Sequence, residues 1–128
     1  MKFNHDCVRD ILLEVESNGY GVFMSLDLLC SKLPQYSSEE ISYCLLKMRE
    51  GNLIDVRTAN AMNVAMPLIV KIRDITYDGH EFLDNVRLPS TWDKVKETAT
   101  SVGAFSIDAM KAIAVNVVTN LINGHFLP

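Results

Sequence analysis

The sequence predicts an α+β, mostly helical fold: a winged helix-turn-helix over residues 1–88, followed by a two-helix extension over residues 89–128. Three observations predict it. Ile41, Cys44, Leu45 and Met48 recur at three- and four-residue spacing, which is one apolar stripe on a helix. Two strand-like runs follow, residues 53–59 and 68–74, joined by a loop over residues 60–67. An amphipathic helix carrying Phe82, Leu83 and Val86 comes directly after, so the order is helix, hairpin, helix.

The first helix takes Asn4 or Asp6 as its cap, and Cys7, Val8, Ile11, Leu12 and Val15 form its buried stripe. Asn18, Gly19, Tyr20 and Gly21 break it. Residues 22–24 suit a short edge strand that pairs with the later hairpin. Ser25 or Asp27 opens a short second helix over residues 26–33, which stops before Pro34. Ser37 and Glu40 have capping-box spacing at the start of the third helix, the carboxylate reaching back to the cap. Gly51 suits its C′ position, where a left-handed backbone needs no Cβ. Three helices in which the last two are joined by a tight turn are what a helix-turn-helix requires.

In the second strand, alternation places Lys71 and Arg73 on one face with Ile72 opposite. The hairpin loop holds no Gly, Lys or Arg, so it offers no basic tip to a phosphate backbone. Thr76 caps the next helix, which has Gly79 in its first turn. In the extension, Ser90 is the expected cap of a helix with Trp92, Val95, Ala99 and Val102 on one side. Gly103 punctuates, Ser106 caps the last helix, and Gly124 is its expected C′ residue.

In composition this is an ordinary globular chain of 128 residues, 48% hydrophobic and 22% charged. A formal charge of −4, from 16 acidic against 12 basic residues, gives no long-range pull toward nucleic acid, so DNA binding would need a local basic patch. Cys7, Cys30 and Cys44 form no CxxC and lie in apolar helical patterns. They read as reduced core thiols of a cytoplasmic protein. The N-terminus lacks the apolar h-region of a secretion signal.

No catalytic, cofactor or metal site is predicted. His80-Glu81 lacks the second histidine a helical zinc site needs, and His5 and His125 lie on other elements. Gly19-Tyr20-Gly21 precedes a strand rather than a helix, so it is not a phosphate loop. No Ser or Cys stands in a nucleophile-elbow context.

Two stretches, KFNHDCVRDILLEVE at residues 2–16 and ITYDGHEFLDNVRLPSTWDKVKETATSVGAFSIDAM at residues 75–110, resemble an uncharacterised family of small phage- and prophage-associated bacterial proteins, a domain of unknown function. The resemblance is most specific over residues 76–92. Residues 75–83 also resemble the helix that follows the wing in many winged-helix regulators. The resemblance implies a bacterial or phage origin and a winged-helix fold, and it assigns no activity.

With the apolar stripe inward, the opposite face of the third helix carries Glu39, Ser42, Tyr43, Leu46, Lys47 and Glu50. The leading expectation is a DNA-binding regulator acting as an oligomer, which would use Ser38, Ser42, Tyr43 and Lys47 on the groove, with Arg49 and with Arg57, Lys71 and Arg73 of the hairpin on the backbone. As an adaptor it would instead present Tyr43 and Leu46 to a protein partner. The last helix steps through Ile107, Met110, Ala114, Val117 and Leu121 at coiled-coil spacing, and Val118 and Ile122 widen the arc. Asp108, Lys111, Asn116 and Asn120 interrupt it too often for a membrane span. An apolar arc that wide predicts a homo-oligomer, a dimer or tetramer, held through those seven residues.

Overall fold

The computed structural model describes residues 1–126. It is α+β and mostly helical: α1 (His5–Glu16), α2 (Leu26–Lys32), α3 (Ser38–Glu50), β1 (Ile54–Ala59), β2 (Leu68–Ile75), α4 (Tyr77–Val86), α5 (Pro89–Val102) and α6 (Ile107–Phe126). The chain divides into two compact units, Met1–His80 and Glu81–Pro128, the boundary falling within α4.

The core of the first unit is the stripe set that the spacing predicts. Cys7, Val8, Ile11, Leu12 and Val15 of α1 are buried, as are Ile41, Cys44, Leu45 and Met48 of α3. Leu29 of α2 joins them, and the three helices pack on one another and on the hairpin. Each such Leu or Ile contributes about 2 kcal/mol of apolar burial. Local chemistry sets the helix starts. The Asn4, Ser25 and Ser37 side chains each accept a backbone N–H of the first turn behind them. Glu40 does not close a capping box in the expected way. Its carboxylate instead accepts from Asn4 Nδ2 at 3.3 Å and so ties α3 to the cap of α1. Tyr36, in the turn before α3, adds a second tie by donating to Asp10 at 2.6 Å.

At the end of α3 the left-handed residue is Asn52 (φ 59°), not Gly51, which keeps φ −82°. Asn is the non-glycine residue best suited to that region, so the turn needs no glycine. From there the start of α4 is locked down. Thr76 Oγ1 donates to Asn52 O at 2.5 Å and accepts from Gly79 N at 3.0 Å, and Asn52 Nδ2 donates to Asp78 at 3.0 Å.

β1 and β2 form a two-stranded antiparallel sheet. The residues expected as an edge strand contribute one bridge, Met24 opposite Ile72, with N–H···O distances of 2.9 and 2.8 Å in the two directions. β1 alternates, with Ile54 and Val56 buried, whereas the buried residues of β2, Ile72 and Ile75, stand three apart. The register explains this. Asp55 faces Asp74 and Val56 faces Ile72, so Arg73 is an extra residue; Arg57 faces Lys71 and Thr58 faces Ile69, so Val70 is another. Ile72 is buried between less buried Lys71 and Arg73, and alternation breaks after Arg73, where Asp74 is exposed as well.

In the second unit α5 and α6 pack on each other, burying Trp92, Val95 and Ala99 against a set that includes Met110, Ala114 and Val117. Phe82 meets Trp92 edge to face, with ring centroids 6.5 Å apart. Three expectations change here. Pro89, not Ser90, opens α5, because a first-turn residue needs no N–H; Leu88 is the cap position and makes no side-chain cap bond. Val102, the last residue of α5, is exposed beside Gly103, where φ of 70° turns the chain away. α6 continues through Gly124, since a glycine inside a helix costs only about 1 kcal/mol. Ser106 caps α6 as expected, accepting from Ala109 N at 3.0 Å.

Candidate functional site

Because Ile41, Cys44, Leu45 and Met48 turn inward, α3 presents Ser38, Glu39, Ser42, Tyr43 and Leu46 along its outer face. That face is one wall of a cleft of about 530 Å³. Leu26 of α2 lies at one side, and Met66 and Pro67 at the end of the hairpin loop, with Met1, complete it. The exposed lining is mostly apolar. Tyr43 and Leu46 stand one turn apart, which is the spacing that presents two anchors to a single docked segment.

The loop over residues 60–67 was expected to be chemically mute toward phosphate, and it is uncharged; its contribution is apolar instead. Met62 is 90% exposed and Met66 50%. Met62, Val64 and Met66 are a readable signal, being large apolar residues in a loop without glycine, but which wall they face is set by the hairpin register. Leu26 and Met1 have no comparable signal in the sequence.

The candidate DNA-contacting residues divide between two places. Ser38, Ser42 and Tyr43 lie in the cleft. Lys47 is engaged at the far end of the same face: its Nζ is 3.0 Å from Glu50 and 5.5 Å from the Tyr43 ring centroid. The Glu50 carboxylate holds the Lys47 pKa above its ordinary value. Arg49 is exposed at the end of α3. Arg57 and Lys71 are brought together as cross-strand partners, with Arg73 beside them on β2, and none of the three lines the cleft. Lys71 Nζ sits 4.5 Å from the Phe23 ring centroid. At the base of the hairpin Asp55 faces Asp74, which offsets the positive charge of this strip.

Among the oligomerisation candidates, Met110, Ala114 and Val117 are buried within the second unit and Ile107 is half-buried. Val118 is half-buried, while Leu121, which continues the stripe of Met110, Ala114 and Val117, and Ile122 are 48% and 51% exposed.

The three cysteines are free thiols, Cys7 and Cys44 fully buried and Cys30 half-buried. Cys7 and Cys44 hydrogen-bond to each other across α1 and α3, which raises the Cys7 pKa and lowers that of Cys44; burial pushes Cys7 further up. Cys44 Sγ also donates to Asn4 O at 3.7 Å. Among the described residues no three His, Cys, Asp or Glu side chains gather to hold a metal ion, and no helix is long and apolar enough to cross a membrane.

Comparison with known proteins places the chain in an uncharacterised family. An uncharacterized protein of Haemophilus influenzae (strain ATCC 51907 / DSM 11121 / KW20 / Rd) is 31% identical over 123 residues, covering 95% of this chain and 99% of that protein. No solved structure matches the chain. The family model described as "Hypothetical protein (DUF2513)" matches residues 2–106, which takes in every element up to the start of α6. The chain belongs to that family, DUF2513.

Proposed function

We propose that this chain is a non-enzymatic, prophage-type winged helix-turn-helix protein of the cytoplasm, and that it works as an adaptor docking an apolar segment of a protein partner in the α3 cleft. The winged-helix reading is supported by three mutually packed helices, an extended residue between the first two that pairs with the hairpin, and a hairpin directly after α3. The phage association is supported by the resemblance at residues 2–16 and 75–110.

One observation carries the choice of partner. The face of α3 that would have to enter a DNA groove is built into a mostly apolar cleft by Leu26, Met66 and Pro67, and its lysine is held by Glu50. Base edges and phosphates call for Arg, Lys, Asn or Gln, whereas Tyr and aliphatic anchors in a desolvated cleft suit a protein segment. The DNA-binding regulator is the second reading, favoured by the pairing of Arg57 with Lys71.

The test is a selection from a random linear-peptide display library on the whole chain, with Leu46→Asp as counter-target. Peptides with two apolar anchors, bound at least about 30-fold more weakly by the variant, are expected. Enrichment of no peptide, or equal binding to the variant, would overturn the adaptor reading.

A further inference from the structure

The outer face of the hairpin sheet gathers cations that no carboxylate of the chain answers. Met24 and Ile72 form a bridge and are both buried, and Val56, opposite Ile72, is buried with them. Neighbouring side chains of an extended strand point to opposite faces. Lys71 and Arg57 therefore stand on the outer face, where the register makes them direct cross-strand partners. Phe23 shares that face, since the Lys71 Nζ lies 4.5 Å from its ring centroid. Arg73 is exposed two residues further along β2.

Like charges set directly opposite each other destabilise a strand pair. The Phe23 ring attracts the Lys71 ammonium but carries no net charge to neutralise it. Arg57, Lys71 and Arg73 make no ion pair among the described residues, whereas Lys32, Lys47, Arg87 and Lys96 each have a carboxylate partner. Three open cations on one hairpin are the local basic patch that a chain of net charge −4 needs in order to hold a polyanion. Asp55 and Asp74, partners nearer the base of the hairpin, mark where the patch ends.

Aromatic rings accompany the charge. Phe23 is 51% exposed even with Lys71 beside it. Three residues earlier Tyr20 stands wholly in solvent, in a turn closed by Val22 N donating to Gly19 O at 3.1 Å. Asn18 Nδ2 steadies that turn by donating to Val22 O at 3.3 Å. Exposed rings stack on any unpaired base, and open cations follow a sugar-phosphate backbone, so the two together suit a single strand. A duplex keeps its bases stacked on one another and leaves the rings uncovered. An acidic peptide would answer the cations alone.

We propose that the outer face of the hairpin binds a single nucleic-acid strand, its phosphates on Arg57, Lys71 and Arg73 and its bases against Phe23 and Tyr20. None of these five residues lines the α3 cleft, so this surface is separate from the docking proposed there.

The experiment is fluorescence anisotropy of the full chain with labelled oligothymidylate and oligouridylate, with far-UV circular dichroism to verify that each variant folds. The two strands share the phosphate-and-base chemistry, and the tighter one identifies the sugar that is read. Binding is expected to weaken about 20-fold between about 50 and 200 mM salt, the dependence for three phosphates of a single strand. Arg57→Glu combined with Arg73→Glu should raise Kd at least about tenfold at the lower salt. Phe23→Leu combined with Tyr20→Ala, which keeps an apolar side chain beside Lys71, should also raise it roughly tenfold. Failure of both strands to bind at the lower salt, or full affinity in either double variant, would overturn the proposal. So would a duplex bound as tightly as the single strand, or polyglutamate that displaces the strand at equal charge, since the face would then hold any polyanion.

Discussion

Lys47 on α3 lies 3.0 Å from Glu50, one turn further along the same helix, with its ammonium above the Tyr43 ring. Lys47 is thus answered within its own helix. Lys47→Ala is therefore expected to leave the thermal midpoint unchanged, since exposed pairs of this spacing stabilise very little. It should also leave the affinity for a selected peptide within about threefold. A loss of binding on that single change would move the chemistry from apolar anchors to charge.

Gly79 opens α4 directly against the backbone of Leu53. A Cβ built on Gly79 would overlap the Leu53 carbonyl oxygen, which already accepts from Thr76 N at 3.1 Å. Backbone cannot rotate aside as a side chain can. Gly79→Ala is expected to destabilise by about 1–3 kcal/mol, read as a lower urea midpoint at constant m-value. An unchanged midpoint would mean that α4 does not start where Thr76 and Leu53 hold it.

Tyr36 donates to Asp10, and burial together with that bond holds its hydroxyl pKa well above the ordinary tyrosine value. The folded state thus favours the neutral phenol. Its contribution is fully present below about pH 10, the unfolded value, and is lost as pH rises toward the folded one. Urea denaturation of the wild type should weaken steadily above that pH. Tyr36→Phe should lose about 1 kcal/mol at neutral pH and show a shallower alkaline decline. Parallel pH profiles for the two proteins would contradict the assignment.

Cys7 and Cys44 face each other in the core and Cys30 is partly open. Titration with an aromatic disulfide reagent near pH 8 should modify Cys30 alone in the native chain. Burial and Asp27 raise the Cys30 pKa, so the reaction should be slow. The other two thiols should react only in denaturant. Fast reaction of two thiols in the folded protein would show that α1 and α3 open in solution.

What could be read in advance was local. Ser37, Thr76 and Ser106 were legible as caps because a cap acts within three residues, and the stripes of α1 and α3 because helical spacing is regular. Asn52 took the left-handed turn assigned to Gly51, since either residue satisfies that backbone. Pro89 took precedence over Ser90 for a similar reason: both signals start helices, and the chain used the earlier one. The bulges at Val70 and Arg73 were hidden because register depends on the partner strand, not on the strand's own pattern. The cleft was half visible. Tyr43 and Leu46 follow from the α3 stripe, but Leu26, Met66 and Pro67 reach it only through tertiary packing. For α6 the wide apolar arc was plain, while its division into buried Met110, Ala114 and Val117 and exposed Leu121 and Ile122 depended on where α5 lies.

The most direct measurement is the affinity of a selected peptide for the whole chain at about 50 and 200 mM salt, set beside that of random duplex DNA under the same conditions. Docking in an apolar cleft is expected to change less than about threefold over that range, with duplex DNA failing to displace the peptide. Tight DNA binding that falls by a factor of about 10³ across the same range, and that competes with the peptide, would contradict the adaptor reading and return α3 to the DNA groove.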